Sequence, residues 1–509
     1  MKSQAECKST LVAKIIPMIL CAAMVMPLSA LAQGTAAANR TPKVHHYKLI
    51  DMGTLGGPIS FLAWPSGRSI NSHGTAIAEA ETAIGDPYAP ICLQPPDCLV
   101  NRGLEYRNGT LTDMGALPGG NNSSLPFWIN DEGSSVGISS NGLYDPLTGY
   151  PEFRATLWKS GKIFDLGTLG GNVSLASAIN NRGQVVGGAL NAISDNDSNA
   201  FNVVPFPVAT QFRAFLWQNG AMRDLGTLRT GNNAVALLVN DRSQVAGVSL
   251  TNTSANSPTG SFTHDPFFWE DGKMVDIGTL GGTSGGPWYM NAHGQVVGAS
   301  NLAGDQFNHA FLWDRENGLT DLGTLPGASN SVATWINEAG EIVGAGDFNS
   351  GTNSILWKNG QIIDLGRLPG DCASEALAIN SQGLIVGNSS PDCISDGSAV
   401  IWEDGGAPID LNTLITPSSN VTVIFPPYIN DRGEIAAVGQ LPNGDVHSVI
   451  LIPCDDNHAD LEGCDYRLIN ASEAAQGSTP RYLPSGTPRP PQPRRTSRYH
   501  IPGVESPGR

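Results

Sequence analysis

The sequence predicts an all-β chain folded as a closed β-propeller of eight four-stranded blades, and three observations lead there. One phrase, Asp-apolar-Gly-Thr-Leu-Gly-Gly in its fullest form, recurs eight times, from Asp51, Asp113, Asp165, Asp224, Asp276, Asp321, Asp364 and Asp410, at spacings of 43 to 62 residues. A second phrase, apolar-Asn-x-x-Gly, is interleaved with it at Asn71, Asn130, Asn180, Asn291, Asn337, Asn380 and Asn430, and at Asn240 with Ser243 in place of the glycine. Units of this length that repeat in register are the mark of propellers, solenoids or arrays. The third observation is composition. Among 509 residues there are 60 Gly and 35 Pro, with 40% apolar and only 15% charged residues. Such a chain is too apolar to stay disordered and too rich in helix breakers for an α-solenoid. It has no amphipathic helical stretch of useful length.

Each unit reads as four strands. The first ends at the asparagine, as in Ala376 to Asn380, and the second follows the glycine, as in Leu384 to Gly387. Asn at the first and Gly at the fourth position of a tight turn suit a type I turn, in which the asparagine side chain bonds the backbone. The third strand ends in an aromatic residue: Tyr106, Trp158, Trp217, Trp269, Trp313, Trp357 or Trp402. The fourth runs into the aspartate phrase. Between third and fourth stand Asn108-Gly109, Asn219-Gly220, Asp271-Gly272, Asn359-Gly360 and Asp404-Gly405. These are hairpin dipeptides whose two central residues take positive φ.

The chain ends predict closure. The eighth unit runs from Asn430 through Glu434–Val438 to Ser448–Ile452 and lacks a fourth strand, whereas His46–Asp51 is a strand that precedes any complete unit. Pairing the two leaves no open sheet edge.

Outside the repeats, residues 1–32 read as a signal peptide: Lys2, Lys8 and Lys14, an apolar run from Ile15 to Met26, and a small-x-small site at Ala30-Leu31-Ala32, with cleavage after Ala32. No other stretch is long enough to cross a bilayer as a helix. Residues 33–45 read as a linker, 46–470 as the propeller and 471–509 as a disordered tail holding six Arg against two Glu. The net charge of −17 argues against nucleic acid as a partner. Six cysteines remain after cleavage, in near pairs that suit an exported chain: Cys92 with Cys98, Cys372 with Cys393, and Cys454 with Cys464. The predicted location is secreted or periplasmic.

In its phrases Asp-Leu-Gly-Thr-Leu-Gly-Gly, Ile-Asn-x-x-Gly-x-Val-Val-Gly and His-Ala-Phe-Leu-Trp, the chain resembles the HAF-repeat family of exported bacterial proteins. The literal His-Ala-Phe occurs at His309-Ala310-Phe311; elsewhere the place is held by Arg154-Ala155-Thr156, Arg213-Ala214-Phe215 or Asp265-Pro266-Phe267. The resemblance spans residues 46–452 and implies an extracellular repeat protein with no catalytic residues to carry over.

For function, a group present in every unit serves every unit, so the repeated aspartates are expected to be structural, each a buried cap on a turn. The unrepeated residues are the candidates for a site. The loops between second and third strands are long in the first four units. They carry Tyr88, Tyr144, Tyr150, Asp195 and Asp197, on the face where the chain enters each next blade. Just before the apolar-Asn pair, four units place an aromatic, Trp128, Tyr289, Trp335 and Tyr428, in a position suited to packing between blades or to a sugar-stacking platform. No cofactor is expected. Calcium has two partial matches. Asp195, Asp197 and Asn199 alternate as in a calcium loop, but Ala200 and Phe206 break the pattern; Asp455, Asp456, Asp460 and Glu462 sit within the Cys454–Cys464 loop. No nucleophile motif or phosphate loop occurs. The reading is a non-catalytic binding or interaction scaffold for a glycan, peptide or cell-envelope partner. Its alternative is a polysaccharide-active hydrolase or lyase using acids such as Asp145, Glu152 or Asp265.

Overall fold

The computed structural model describes residues 43–470 and 474, apart from 64–66, 94–96, 196–206, 254–261, 349–350, 394–396, 404, 416–418 and 460. The segment read as a signal peptide, most of that read as a linker, the basic tail, Asp197, Asn199, Asp404 and Asp460 lie outside the described residues. Among the described residues no helix is long and apolar enough to cross a membrane.

The strands fall into four-stranded antiparallel units with the β-propeller blade topology, each a meander from an inner to an outer strand. Unit 3 is typical: Gly170–Ile179, Val185–Ser194, Thr210–Gln218 and Ala221–Gly226, paired in chain order. Units 1 to 7 occupy 56–115, 124–165, 170–226, 234–276, 281–323, 330–366 and 373–410. Unit 8 contributes Thr422–Ile429, Ile435–Gln440 and Val446–Pro453. Its fourth strand is Tyr47–Asp51, antiparallel to the third from Tyr47 opposite Pro453 to Asp51 opposite Val449. The end of the segment read as linker is also tied down, since Lys43–Val44 pairs with Ile469–Asn470.

The hairpins follow the sequence signal. Asn108-Gly109, Asn219-Gly220, Asp271-Gly272 and Asn359-Gly360 all have positive φ at both residues, and Ser160-Gly161 does the same without the Asn or Asp. The outer-strand aspartates also act as read: each accepts a backbone N–H two residues on, from Gly53, Gly115, Gly167, Gly226, Gly278, Gly323, Gly366 and Asn412. Burial differs from expectation. Only Asp410 is buried and Asp276 half-buried; the others are exposed, because the turn they close lies on the outer strand facing water.

The second glycine of the Asn phrase reports a distortion that the alternation of apolar residues hides. In units 2 to 7 the inner strand bulges just before the asparagine; in unit 3 the shift falls between Ala176 and Ala178. The bulge aims a carbonyl at the neighbouring strand. A Cβ on Gly137, Gly187, Gly247, Gly298, Gly344 or Gly387 would meet that carbonyl oxygen at 1.9–2.2 Å, so the second strand carries glycine there. Units 1 and 8 have Ala78 and Ala437 instead. There the inner strand is interrupted after Phe61 or shifted twice between Val423 and Tyr428.

Apolar side chains pack between adjacent sheets, with Phe212, Phe215, Phe267, Phe268, Phe311 and Trp402 among the largest fully buried. Polar stitches cross the same gaps. Ser124, Ser174, Ser331 and Ser374 each accept a backbone N–H from the preceding unit and donate to the carbonyl of the glycine in its Asp-x-Gly phrase. Three cysteine pairs are bonded: Cys92–Cys98, Cys372–Cys393 and Cys454–Cys464.

Candidate functional site

The asparagine of each first turn does two jobs. Its Oδ1 accepts the backbone N–H four residues on in all eight units, which closes the turn. Its Nδ2 donates to the backbone carbonyl of the equivalent asparagine in the next unit. The bonds run Asn71 to Asn130, Asn180, Asn240, Asn291, Asn337, Asn380 and Asn430, at 2.8–3.2 Å. Asn430 then donates to the Asn71 carbonyl at 2.9 Å, so the circuit returns to its start.

Inside this circuit lies a cavity of about 270 Å³. Its walls are the apolar residues before seven of the eight asparagines, Ile70, Ile179, Val239, Met290, Ile336, Ile379 and Ile429, with Trp128, Tyr289, Trp335 and Tyr428 one step deeper. The bulge brings both positions to the wall. Tyr289 stacks on Trp335 with centroids 3.6 Å apart and lies near-parallel to Trp128 at 6.5 Å; Trp335 meets Tyr428 edge-on at 6.1 Å. These four aromatics, expected to pack between blades or to form a stacking platform, meet across the centre. Burial pushes the Tyr289 hydroxyl up to about 12, so it stays a neutral donor. Burial raises Tyr428 as well, and its hydroxyl donates to the Ala63 carbonyl.

The rim is formed by the residue after each asparagine. In chain order these are Ser72, Asp131, Asn181, Asp241, Ala292, Glu338, Ser381 and Asp431. Carboxylates occupy alternate units. Each accepts a backbone N–H from the preceding unit: Ser72 to Asp131, Asn181 to Asp241, Ala292 to Glu338 and Ser381 to Asp431, at 2.8–3.0 Å. Arg68, on the stretch that interrupts the inner strand of unit 1, bonds Asp131 at 2.7 Å. Burial alone would raise the Asp131 carboxyl. The Arg68 guanidinium outweighs it, together with the Ser72 N–H and the Asn181 amide, and holds Asp131 well below the usual carboxylate range.

In a four-stranded meander the first and third turns lie at one end, and the second loop lies at the other with the exit to the next unit. The cavity therefore opens at the end opposite the long loops. Tyr88 is buried there and meets the exposed ring of Tyr144 edge-on at 5.2 Å; Tyr150 is half-buried. Asp195 is buried, and one of its oxygens accepts from the amides of Asn232 and Asn233, in the connection that enters the next unit, at 2.7 Å each. Asp455 caps a short 3₁₀ turn and bonds His458. Among the described residues no three His, Cys, Asp or Glu side chains are placed to hold a metal ion. The acids of the hydrolase alternative are engaged and scattered. Asp145 accepts from Leu147 N, Thr148 and Asn172; Glu152 from Asn141 and Arg154; Asp265 pairs with Arg229.

The sequence reading missed the rim and Arg68. The rim alternation is visible in the residue after each asparagine, inside the repeat and away from the unrepeated loops.

No family model and no curated protein matches the chain. Solved structures that align with it include the β-propeller domain of the Trilobed protease from Pyrococcus furiosus (10% identity, TM-score 0.39, 70% of this chain and 96% of that one). An oligogalacturonate lyase from Vibrio parahaemolyticus aligns with 8% identity, TM-score 0.43 and 82% and 97% coverage. The acylaminoacyl peptidase of Pyrococcus horikoshii aligns with 9% identity and TM-score 0.40 over 75% of this chain, and the match takes in only 58% of that peptidase.

Proposed function

We propose that the chain is an exported, closed eight-bladed β-propeller that binds rather than catalyses, and that its ligand enters the cavity at the asparagine-turn end. The asparagine circuit and the pairing of Tyr47–Asp51 with Val446–Pro453 both support closure. The three bonded cysteine pairs support export, and so does the leader-like N-terminus. Membership of the HAF-repeat family rests on the phrases, which touch each other: His309 of His-Ala-Phe bonds Asp321 of the following Asp-Leu-Gly at 3.0 Å.

The observation that carries the binding reading is the cavity itself, with stacked aromatics below and a hydrogen-bonding rim above. Its volume of about 270 Å³ falls just under the roughly 300–1,000 Å³ of drug-sized sites. It fits one sugar ring or one peptide side chain, the exposed end of a larger partner, and not a stretch of polymer. A thermal-shift screen of monosaccharides, short peptides and small envelope components tests this, with hits repeated on Trp335→Leu. Ligands that stabilise the wild type and not the variant support the reading. Turnover of any hit, or hits indifferent to Trp335, overturns it.

A further inference from the structure

We infer that the central cavity takes an organic cation of side-chain size, a guanidinium or primary ammonium group on a short apolar stem; this rests on the reading of the cavity as a binding site. The argument begins at the rim. Among the described residues that line the cavity, Asp131, Asp241, Glu338 and Asp431 supply four carboxylates against one guanidinium, that of Arg68; Arg182 and Arg432, in the same turns, turn to Ser243 and Glu434.

The fold does not need those charges. Where a rim side chain accepts the N–H of the preceding unit it need not be charged: in unit 3 the neutral Asn181 accepts from Asp131 N at 2.8 Å. Ser72, Ala292 and Ser381 hold the same position with no carboxylate at all. Negative charge at every second unit therefore exceeds what the turn requires.

Arg68 shows what such a rim accepts. Its guanidinium bonds Asp131 at 2.7 Å and lies close enough to influence the Tyr289 hydroxyl. Glu338 is joined at 3.0 Å by the exposed His293. Asp241 and Asp431 have only neutral donors among their hydrogen bonds.

A bare metal ion is a poor match, because the carboxylates belong to alternate units and, among the described residues, no three His, Cys, Asp or Glu side chains are placed to hold one. A free organic cation can touch the rim with its charged head and the aromatic rings with its stem, and a tethered side chain, entering tip first, brings its head past the rim carboxylates to the aromatic faces. Aromatic faces attract cations, and guanidinium also pairs in a planar fork with carboxylate.

Isothermal titration of the mature chain uses two probe pairs. The first is propylguanidinium against the neutral butyramide. The second is the capped tripeptide Gly-Arg-Gly against Gly-Gln-Gly. The expected result is saturable binding of the charged member of each pair and a fall in affinity as salt rises. The double variant Asp241→Asn/Asp431→Asn keeps the acceptor oxygens, as Asn181 does, and should lose roughly tenfold or more in affinity at an unchanged melting midpoint. Asp241→Glu should retain binding. A tripeptide that binds more tightly than propylguanidinium identifies a partner side chain as the source, equal affinities identify a free small molecule, and either supports the proposal.

Equal binding of charged and neutral probes, or an unaffected double variant, overturns it. Neutral probes that bind alone and are lost in Trp335→Leu would overturn the cation and leave the binding cavity standing. Absence of saturable binding by every probe overturns the cation proposal, and whether the thermal-shift screen then finds a Trp335-dependent ligand decides the cavity reading separately.

Discussion

Asn180→Ala should be among the most damaging single substitutions in the chain. Asn180 is 4% exposed. Its Oδ1 accepts from Arg182 N at 3.1 Å and Gln184 N at 2.9 Å; its Nδ2 donates to Gln184 Oε1 at 2.7 Å and to the Asn240 carbonyl at 2.8 Å. Alanine leaves two backbone donors and a carbonyl without these partners. Each buried orphan costs about 1–3 kcal/mol, and partial relaxation brings the total to about 2–5 kcal/mol. Asn180→Asp keeps the acceptor of the two turn N–H groups and loses the donor, placing a carboxylate oxygen against both the Asn240 carbonyl and Gln184 Oε1, so it removes the bond between units while the backbone bonds of the turn stay. Asp364→Ala is the contrast. Asp364 is exposed and its turn bond is to Gly366 N at 2.8 Å, so about 0.5–1 kcal/mol is expected. Urea denaturation followed by circular dichroism orders the three. If Asn180→Ala costs less than Asp364→Ala, the asparagine circuit does not hold the units together.

Three further outcomes are expected. Deleting residues 43–52 removes the partner of Val446–Pro453 and should lower the melting midpoint steeply or cause aggregation; an unchanged midpoint would count against closure. His458 lies between Glu434 at 3.1 Å and Asp455 at 2.7 Å, with Arg432 3.6 Å from the same Glu434 oxygen. Burial lowers the affinity of His458 for its proton, but the two carboxylates outweigh it and raise its pKa. The stabilisation is full below the unfolded value of about 6.5 and is lost as pH rises through the folded one. Glu434 is held low despite burial, by His458 and Asn430, so its share is present above about 4.3 and lost as pH falls through its folded value. The melting difference between wild type and His458→Gln should peak between those two unfolded values and shrink toward alkaline pH; a difference flat from acid to alkaline would refute the clamp. Asp265 is raised to about 7, by burial first and then by Asp276, against the pull of Arg229. Ionising it inside the fold costs stability as pH climbs from the unfolded value of about 3.9 through 7. Asp265→Asn should therefore gain on wild type at pH 8 and not at pH 4, as melting curves at the two pH values can decide.

Much of this was legible in the residues. Eight Asp phrases and eight Asn phrases counted the units. The hairpin dipeptides located the outer turns, and the spare strand before Asp51 found its partner in Val446–Pro453. What escaped was whatever depends on distance between units. The spacing of an Asn-x-x-Gly turn describes a bond four residues long and is silent about a carbonyl some 50 residues away, so the second role of Asn180 had no local signature. The central meeting of Trp128, Tyr289, Trp335 and Tyr428 depends on the bulge. In the units of Trp128, Tyr289 and Trp335 its sequence trace is the second glycine, a residue easily read as a mere strand-end Gly; unit 8, with Tyr428, has Ala437 there.

The departures from the repeat occur in compensating sets, and this separates tolerated drift from constraint. In four units a basic or amide side chain at the head of the third strand bonds the outer-strand aspartate: Arg213 to Asp224, His309 to Asp321, Asn353 to Asp364 and His447 to Asp51. Unit 4 has Asp265 there, which sets two acids together. The preceding connection answers with Arg229, whose guanidinium reaches Asp265 at 3.2 Å and Asp276 at 2.6 Å. Arg229 holds φ at +46°, where units 1, 3 and 5 have Gly56, Gly170 and Gly281. A side chain rarely adopts that backbone, so the strain is tolerated where the third charge is needed. Unit 1 shows the same logic at the centre, since its interrupted inner strand delivers Arg68 to the most buried carboxylate of the rim. In both places a charge out of pattern is met by a cation out of pattern. Among the described residues Asp241 and Asp431 meet only neutral donors, which on the proposal above makes them the rim positions left for a charge from outside the chain.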